Sequence, residues 1–392
     1  MSYLDLNYRP ESTDLLCSYH LEPAEGKTLA SVTEELCSKA AIDARAGSHR
    51  EMLAARAYAM DGNTVKVAYP AEHFEPGNIP QMLSVVAGRI LGLANLANLR
   101  LLDIQFPAAW VKSFRGPAHG SEDLHKYFDN PERPLVSALI APEVGMDLKT
   151  YTQKAFAVLI GGCDMVRDSH QLTDLPNNRF EERVKSVLAL TNEAAKKSEL
   201  PKLYFPNVTG AGDVVLKRTR FVINAGGNGV VIDFQTAGFG VLQMLRNEFP
   251  GLIIYADRTS HGATARNKKH GISMTTLGKL ARLAGADLVE IGSITGDMLE
   301  THAQVVQLHT NLLADNFVTR DPQRFSQNWL GVKESIPVIS GGLTSDDIRD
   351  LRYTFGHNMV LQFGRSMTGG DSVSPEHVER FLFHMGSLVP LV

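Results

Sequence analysis

The feature that most limits the possible folds is an alternation of short β-branched segments with amphipathic helical segments, which repeats eight times from Leu135 onward. The candidate strands are Val136–Ala141, Asp164–Arg167, Leu203–Asn207, Val230–Phe234, Leu252–Asp257, Leu288–Gly292, Pro337–Ser340 and Met359–Phe363. The helical segments are Tyr151–Ile160, Arg179–Lys197, Val214–Ala225, Gly238–Glu248, Met274–Ala284, Glu300–Ala314, Ser345–Phe355 and Ser374–Gly386. Eight strand–helix units in about 255 residues predict an α/β protein with a (β/α)8 barrel. An open, doubly wound sheet is the alternative, although such sheets rarely reach eight units without an antiparallel interruption.

The first 130 residues follow a different pattern. Their strand and helix candidates are, in chain order, Leu15–Leu21, Thr28–Ala44, Thr64–Tyr69, Ile79–Leu93 and Asn98–Gln105. This order predicts a small α+β domain at residues 1–130, followed by the barrel domain at residues 131–392. The segment Gly116–Pro131, which is rich in glycine, proline, histidine and charged residues, is the predicted junction.

The composition argues against several classes of partner. The 392-residue chain has 39 basic and 43 acidic residues, a net charge of −4, which gives no indication of binding to nucleic acid or to a membrane surface. Its three cysteines, Cys17, Cys37 and Cys163, have no CxxC spacing, so neither a disulfide framework nor a zinc ribbon is supported. The N-terminus lacks a basic start followed by an apolar run. We therefore expect a soluble, cytoplasmic protein.

Polar residues follow several of the candidate strands, and barrel enzymes carry their active sites at the C-terminal ends of the strands. The second strand ends in Arg167, Asp168, Ser169 and His170, which combine a cation, a carboxylate and an imidazole within four residues. This set suits acid–base chemistry near neutral pH. An ion pair between Arg167 and Asp168 that only closes the barrel is the alternative. The loop is a poor metal site because Asp168 is its only carboxylate.

Other loops carry residues that suit anion binding. After the fifth strand, one of Arg258 and His261 can hold an anionic oxygen while the other exchanges a proton. The phosphate-binding candidates follow strands seven and eight: Ser340, Gly341, Gly342, Gly364 and Arg365. Barrels of this kind often bind phosphate at that place, because glycine lets backbone N–H groups approach the anion and arginine adds a charge-assisted contact. A tight turn that needs positive φ is the alternative.

Taken together, these loops resemble those of RuBisCO-like proteins, the relatives of the RuBisCO large subunit that do not fix CO2. The segments that carry the resemblance are Tyr8–Pro10, Thr13–Leu16, His20–Pro23, Phe106–Pro107, Val111–Gly120, Gly161–His170, Asp257–Gly262, His270–Ile272, Ser340–Gly342 and Gln362–Arg365. The resemblance implies a ferredoxin-like α+β N-terminal domain before a C-terminal TIM barrel. It also implies a homodimer or higher homo-oligomer whose active site is shared between one barrel and the partner's N-terminal domain.

The departures from the family pattern fall where a carboxylase would hold its metal. In carboxylases the residue matching Arg167 is a lysine that becomes carbamylated and binds Mg²⁺, and acidic residues match Ser169 and His170. Two lysines of the first barrel strand are matched by Ala141 and Glu143, and the lysine of the mobile sixth loop is matched by Asp297. An arginine stays protonated and brings a positive charge to the place of the cation. We therefore expect no Mg²⁺, no other cofactor and no CO2 fixation.

Two further departures lie in the N-terminal domain. The family's glutamate and asparagine that complete the neighbouring subunit's site are matched by Asp43 and Arg89. Glu143, which replaces a lysine of the first strand, is included with them among the candidate site residues.

The resemblance implies enolate chemistry on a phosphorylated sugar, for which a stabilised oxyanion is the common requirement. The favoured hypothesis is a lyase that decarboxylates, or cleaves a C–C bond in, a keto sugar-acid phosphate similar to 3-oxo-isoapionate 4-phosphate. Arg167 and Arg258 would hold the carboxylate or the oxyanion, and His170 or His261 would return the proton. The first alternative is an isomerase or enolase of a sugar phosphate similar to methylthioribulose 1-phosphate, with proton transfer by His170, Asp168 or Asp43. The second is a sugar-phosphate-binding protein without catalysis.

Overall fold

The computed structural model describes residues 2–40, 53–129, 132–142, 144–295 and 299–386. The chain divides into two compact units. The first comprises Met1–Arg115, Ser260–Ala284 and Ala314–Val332, and the second comprises Gly116–Thr259, Gly285–Leu313 and Lys333–Val392. No helix in the described part of the chain is long and apolar enough to cross a membrane.

The strands are β1 (Leu15–Pro23), β2 (Arg56–Asp61), β3 (Thr64–Tyr69), β4 (Leu96–Gln105), β5 (Leu135–Leu139), β6 (Met165–Arg167), β7 (Leu203–Phe205), β8 (Gly229–Asp233), β9 (Ile253–Asp257), β10 (Gly271–Ile272), β11 (Leu288–Gly292), β12 (Asn316–Phe317), β13 (Gln327–Asn328), β14 (Ile336–Ile339) and β15 (Val360–Phe363). The α-helices are α1 (Leu29–Ala40), α2 (Ile79–Val86), α3 (Ala108–Val111), α4 (Ser121–Tyr127), α5 (Leu148–Ile160), α6 (Phe180–Ser198), α7 (Gly212–Asn224), α8 (Phe234–Ala237), α9 (Phe239–Glu248), α10 (His261–Ala265), α11 (Met274–Ala284), α12 (His302–Leu313), α13 (Asp347–Phe355), α14 (Arg365–Thr368) and α15 (Pro375–Gly386). Among the described residues, 3₁₀ helices span Ala71–His73 and Arg89–Gly92.

The first unit contains a five-stranded sheet in the order β10-β4-β1-β3-β2. Strands β1 to β4 pair antiparallel, and β10 adds a short parallel strand beside β4. The succession β1-α1-β2-β3-α2-β4 with the spatial order β4-β1-β3-β2 is that of a ferredoxin-like fold, as expected. β2 was not predicted. The helix predicted over residues 79–93 ends at Val86, and in the turn that follows Gly88 lies so close to the Ser84 carbonyl that a Cβ would meet it at 2.3 Å.

All eight predicted barrel strands are present in the second unit and form one sheet in the order β7-β6-β5-β15-β14-β11-β9-β8. Each pair of neighbours whose register is resolved runs parallel. The two ends of this order meet through a parallel bridge between Asn207 and Val231, with Val208 N–H donating to Val231 O at 3.0 Å. The (β/α)8 prediction is therefore confirmed, and the open-sheet alternative is wrong.

The two ends of the barrel differ in chemistry. The cluster of buried apolar residues includes the first residue of several strands, among them Leu135, Met165 and Leu203, together with Leu124 of α4. This apolar packing extends from the N-terminal ends of the strands into the barrel interior, where it includes Val231 and Tyr255. The opposite end carries Arg167 and Asp257 as the last residues of β6 and β9. The C-terminal end is therefore where the fold gathers ionisable side chains, as barrel enzymes do.

Candidate active site

A buried ion pair lies at the C-terminal end of the barrel strands. Arg167 Nη1 donates to Asp257 Oδ2 at 2.6 Å, and only 2% of each residue is exposed. The guanidinium carbon also lies 4.9 Å from the centroid of the Tyr255 ring. The sequence-based alternative, a pair between Arg167 and Asp168, is wrong: Asp257, 90 residues further along the chain, is the partner.

Glu290 lies next to Asp257 and hydrogen-bonds to it. Ser340 Oγ donates a hydrogen bond to Glu290 Oε1, and Gln362 Nε2 lies 3.5 Å from the same oxygen. Tyr255 donates its phenolic proton to Gln362 Oε1. These contacts join side chains of β9, β11 and β15 and the residue that follows β14 into one polar network.

The two carboxyl groups of this network differ in their affinity for a proton. Burial opposes ionisation of Asp257, but the Arg167 guanidinium outweighs it and lowers the pKa of Asp257 to about 2. Burial and the neighbouring Asp257 charge raise the pKa of Glu290 to about 7. Near neutral pH the pair therefore holds an ionised Asp257 and a carboxyl group at Glu290 that can exchange its proton.

His170 and Arg258 lie at the edge of the same network. The His170 ring is exposed, and its Nδ1 lies 4.0 Å from Asp257 Oδ2. Arg258 is 3% exposed and places Nη1 3.4 Å from Glu300 Oε1, while its backbone N–H donates to Asp257 Oδ1 at 2.7 Å. His170 is thus the solvent-facing base of the group, whereas Arg258 contributes its charge from a buried position.

Asp168 does not share the environment of its neighbour Arg167. Its carboxylate is fully buried and accepts hydrogen bonds from Tyr151 OH at 2.6 Å, Tyr204 OH at 2.7 Å and Arg183 Nε at 3.0 Å. The backbone N–H of Asn207 donates a fourth hydrogen bond at 3.0 Å. Because these four donors occupy both oxygens, Asp168 has the contacts of a structural residue that fastens β6 to α5, β7 and α6.

The predicted phosphate loops come together after β14 and β15. Gly341 and Gly342 are exposed and adopt φ values of 118° and 79°, which only glycine accepts readily. Ser366 Oγ donates to Leu343 O and so connects the two loops. Arg365 is exposed after Gly364. Ser340, by contrast, is buried and directs its hydroxyl proton to Glu290.

Lys154 is a buried residue that holds together two of the loops at the C-terminal end of the barrel strands. Its ammonium donates to the carbonyl oxygens of Ala141 at 2.7 Å, Thr368 at 3.1 Å and Gly370 at 2.7 Å, and the residue is 2% exposed. Burial lowers the pKa of Lys154. The three contacts join the loop after β5 to the loop after β15.

The remaining candidates lie in the first unit or outside the described residues. Arg89 is exposed at the start of a 3₁₀ helix in the first unit, and His261 begins α10 in that same unit. Asp43 and Glu143 lie outside the described residues.

Asp257, Glu290 and Gln362 were not among the site residues predicted from the sequence. Glu290 is the one carboxylate in the otherwise apolar strand segment Leu288–Gly292, and this contrast was the available signal.

The fold and the polar network at its strand ends define a barrel enzyme preceded by a ferredoxin-like domain. Residues 120–373 match the family described as ribulose bisphosphate carboxylase large chain, catalytic domain, and residues 2–110 match the N-terminal domain of the same large chain. The protein belongs to the RuBisCO large-chain family.

Several known proteins and solved structures are similar to most of this chain. Ribulose bisphosphate carboxylase of Methanosarcina barkeri is 36% identical over 374 residues, which is 92% of this chain and 87% of the relative. The octameric Rubisco of Pyrococcus horikoshii superposes with a TM-score of 0.89 at 30% identity, covering 98% of this chain and 91% of the other. A dimeric archaeal Rubisco from Hyperthermus butylicus gives 0.89 at 28% identity, with 96% and 91% covered.

The side chains at the strand ends do not fit the Mg²⁺ that the resemblance associates with carboxylases. The Arg167 guanidinium already binds the Asp257 carboxylate, and four donors occupy Asp168. Within residues 2–40, 53–129, 132–142, 144–295 and 299–386, no group of three or more histidine, cysteine or acidic side chains could hold a metal ion. A cation here would also meet the fixed positive charge of Arg167.

Proposed function

We propose that this protein catalyses metal-independent decarboxylation, or a related C–C cleavage, of a phosphorylated keto sugar acid and does not fix CO2. The observation that carries this proposal is the Arg167–Asp257 pair, which places a guanidinium where the resemblance puts a metal-binding lysine. Loss of CO2 from a β-keto acid requires an electron sink rather than a strong base, and fixed positive charges with hydrogen-bond donors supply one.

The substrate class follows from the exposed groups at the rim. Gly341, Gly342 and Arg365 offer backbone donors and a cation for a phosphate group. The exposed ring of His170, beside Asp257, can donate a hydrogen bond to a substrate carboxylate. Arg167 and Arg258 are too buried to touch a substrate in this conformation, so they act through Asp257 and through the local field.

The test is product analysis with purified protein and synthetic keto sugar-acid phosphates. We expect CO2 release at an undiminished rate after dialysis against a chelator, and no release from the dephosphorylated compounds. Stimulation by Mg²⁺ together with loss of activity in the chelator would contradict the metal-independent reaction. Deuterium uptake from heavy water without CO2 would instead support the isomerase, and thermal stabilisation by phosphate ligands without turnover would support a binding protein.

The assembly belongs to the same proposal. The structures named as an octameric and a dimeric Rubisco are homo-oligomers. We propose a cytoplasmic homodimer, or a higher homo-oligomer, in which Arg89 of one subunit completes the barrel site of its neighbour.

A further inference from the structure

We propose that Asp257 and Glu290 share one proton and that Glu290 is the acid that delivers it to the carbon from which CO2 departs. This inference rests on the proposed function and adds to it the identity of the proton donor. Neither residue was a candidate from the sequence, because the two are separated by 33 positions and both lie within barrel strands.

The hydrogen-bond donors around Asp257 keep it ionised. Arg167 Nη1 reaches Oδ2 at 2.6 Å, and the backbone N–H of Arg258 reaches Oδ1 at 2.7 Å. A carboxylate that accepts two such bonds, one of them charge-assisted, holds its negative charge strongly. The proton of the pair is therefore not on Asp257.

The contacts of Glu290 indicate which of its oxygens carries the proton. Ser340 Oγ donates to Oε1, and Gln362 directs its amide nitrogen to Oε1 at 3.5 Å. Tyr255 fixes the orientation of the amide by donating to Gln362 Oε1. Since Oε1 is the acceptor in both contacts, we assign the proton to Oε2, and the hydrogen bond between the two carboxyl groups raises the pKa of Glu290.

Exposure decides which member of the pair meets a substrate. Asp257 is 2% exposed, whereas Glu290 is half-buried, although Val289 and Ile291 on either side of it are fully buried. The charged groups that face Glu290 are Asp257, Arg167 and Arg258, and the raised pKa of Glu290 reflects burial and the repulsion of Asp257 against the attraction of the arginines. Glu290 is thus the accessible acid of the pair.

The proton transfer balances without a further reactant. When CO2 leaves, the bond between the carboxylate carbon and the α-carbon breaks, and its electron pair forms the enolate. The Oε2–H bond of Glu290 then breaks, a C–H bond forms at the α-carbon, and the electron pair stays on the Glu290 carboxylate. A proton from water restores the acid, and the exposed His170 ring, 4.0 Å from Asp257, is placed to pass it on. Repulsion between two adjacent carboxylates favours this return.

The ground-state part of the inference can be tested without any substrate. Infrared difference spectra of the ligand-free protein should contain a protonated carboxyl band at pH about 6 that disappears as the pH rises through about 7, and this band should be absent from Glu290→Gln. The exposed Glu193→Gln on α6 is the matched control and should leave the band unchanged. A wild-type protein without such a band, or a band that survives in Glu290→Gln, would overturn the inference.

The chemical part is tested by the configuration of the product. In heavy water the wild type should add deuterium to one face of the α-carbon, whereas Glu290→Gln should give both configurations and a kcat about 100-fold lower. Ser340→Ala removes a hydrogen bond donated to the ionised Glu290 carboxylate, so it should raise the pKa of Glu290. The fall of kcat on the alkaline side of its pH profile should then begin at a higher pH, while the protein stays folded. Full kcat with unchanged configuration in Glu290→Gln would refute Glu290 as the donor. Absence of CO2 release by the wild type would refute the proposed function instead, whatever the infrared result.

Discussion

Arg167 Nη1 lies 2.6 Å from Asp257 Oδ2, and this bond joins the ends of β6 and β9, two strands that are not neighbours in the barrel sheet. The pair crosses the C-terminal end of the barrel, so the Asp257 carboxylate is bound to a guanidinium where a metal site would need carboxylates free to bind a cation. Two buried charges are costly to move out of water, so each depends on the other.

Replacing Arg167 by methionine should destabilise the protein by about 3–5 kcal/mol, because Asp257 would remain buried without its cation. Denaturant unfolding at neutral pH measures the loss. Lys197→Met, which removes an exposed pair with Glu193, is the control and should cost less than about 1 kcal/mol. The double variant R167M/D257N should be more stable than the sum of the single changes implies. Equal losses in R167M and K197M would contradict the buried-pair interpretation.

Glu290→Gln should change how stability depends on pH. The pKa of Glu290 is raised to about 7 in the folded protein, while an unfolded glutamate titrates near its ordinary value of about 4.3. Between these values the folded state binds the extra proton, so wild-type stability falls as pH rises through this range. Glutamine carries no such proton, so the Tm difference between variant and wild type should grow in favour of the variant from pH about 4.5 to about 7. A difference that does not vary with pH would refute the raised pKa.

Arg365→Ala should raise KM for the phosphorylated substrate about tenfold, equivalent to about 1.4 kcal/mol, with kcat nearly unchanged. The reason is that the exposed guanidinium directly follows Gly364 in the loop after β15, and Ser366 joins this loop to the Gly341–Gly342 loop by donating to Leu343 O. Steady-state kinetics of CO2 release provide the measurement. Arg349→Ala, at an exposed position on α13, should leave KM as it is. A KM that Arg365→Ala does not alter would remove this residue from the phosphate site.

Asp168→Asn should act on stability rather than on the reaction. The substitution leaves the buried Arg183 without its carboxylate partner and weakens the bonds to Tyr151 and Tyr204, so a loss of about 3 kcal/mol or more is expected. Denaturant unfolding measures the effect on stability, and the rate of CO2 release per folded molecule measures the effect on the reaction. Asp174→Asn, which lies in an exposed pair with Arg179, is the control. A stable D168N protein with little turnover would show that Asp168 takes part in catalysis.

Complementation between subunits tests the shared site. If Arg89 of one subunit serves the barrel of another, R89A and E290Q proteins should each have low activity. Co-expressed together, they should recover about a quarter of the wild-type activity, because half of the dimers are mixed and one of the two sites in each is intact. Analytical ultracentrifugation of the co-expressed proteins measures whether they form dimers or larger oligomers. Activity that never exceeds that of the single variants would place Arg89 outside the site.

The pattern of the chain predicted the barrel well and its polar network poorly. The β-branched segments and the amphipathic helices located all eight strand–helix units, because each reflects a local preference and a buried face. The weakly patterned β2 was missed. The loop Arg167–His170 was read as one chemical group, yet its members have separate partners: Arg167 binds Asp257, Asp168 binds Arg183, and His170 faces solvent.

The sequence by itself determined the order of elements, the barrel class and the positions of glycine and arginine at the strand ends. Only the tertiary structure decided which charges are paired. Asp257 and Glu290 become an acid pair because barrel closure brings β6, β9, β11 and β15 around one axis, where Asp257 is buried and Glu290 is half-buried. Proton affinity depends on burial and on charges a few ångströms away, and neither quantity is encoded in the spacing of residues along the chain.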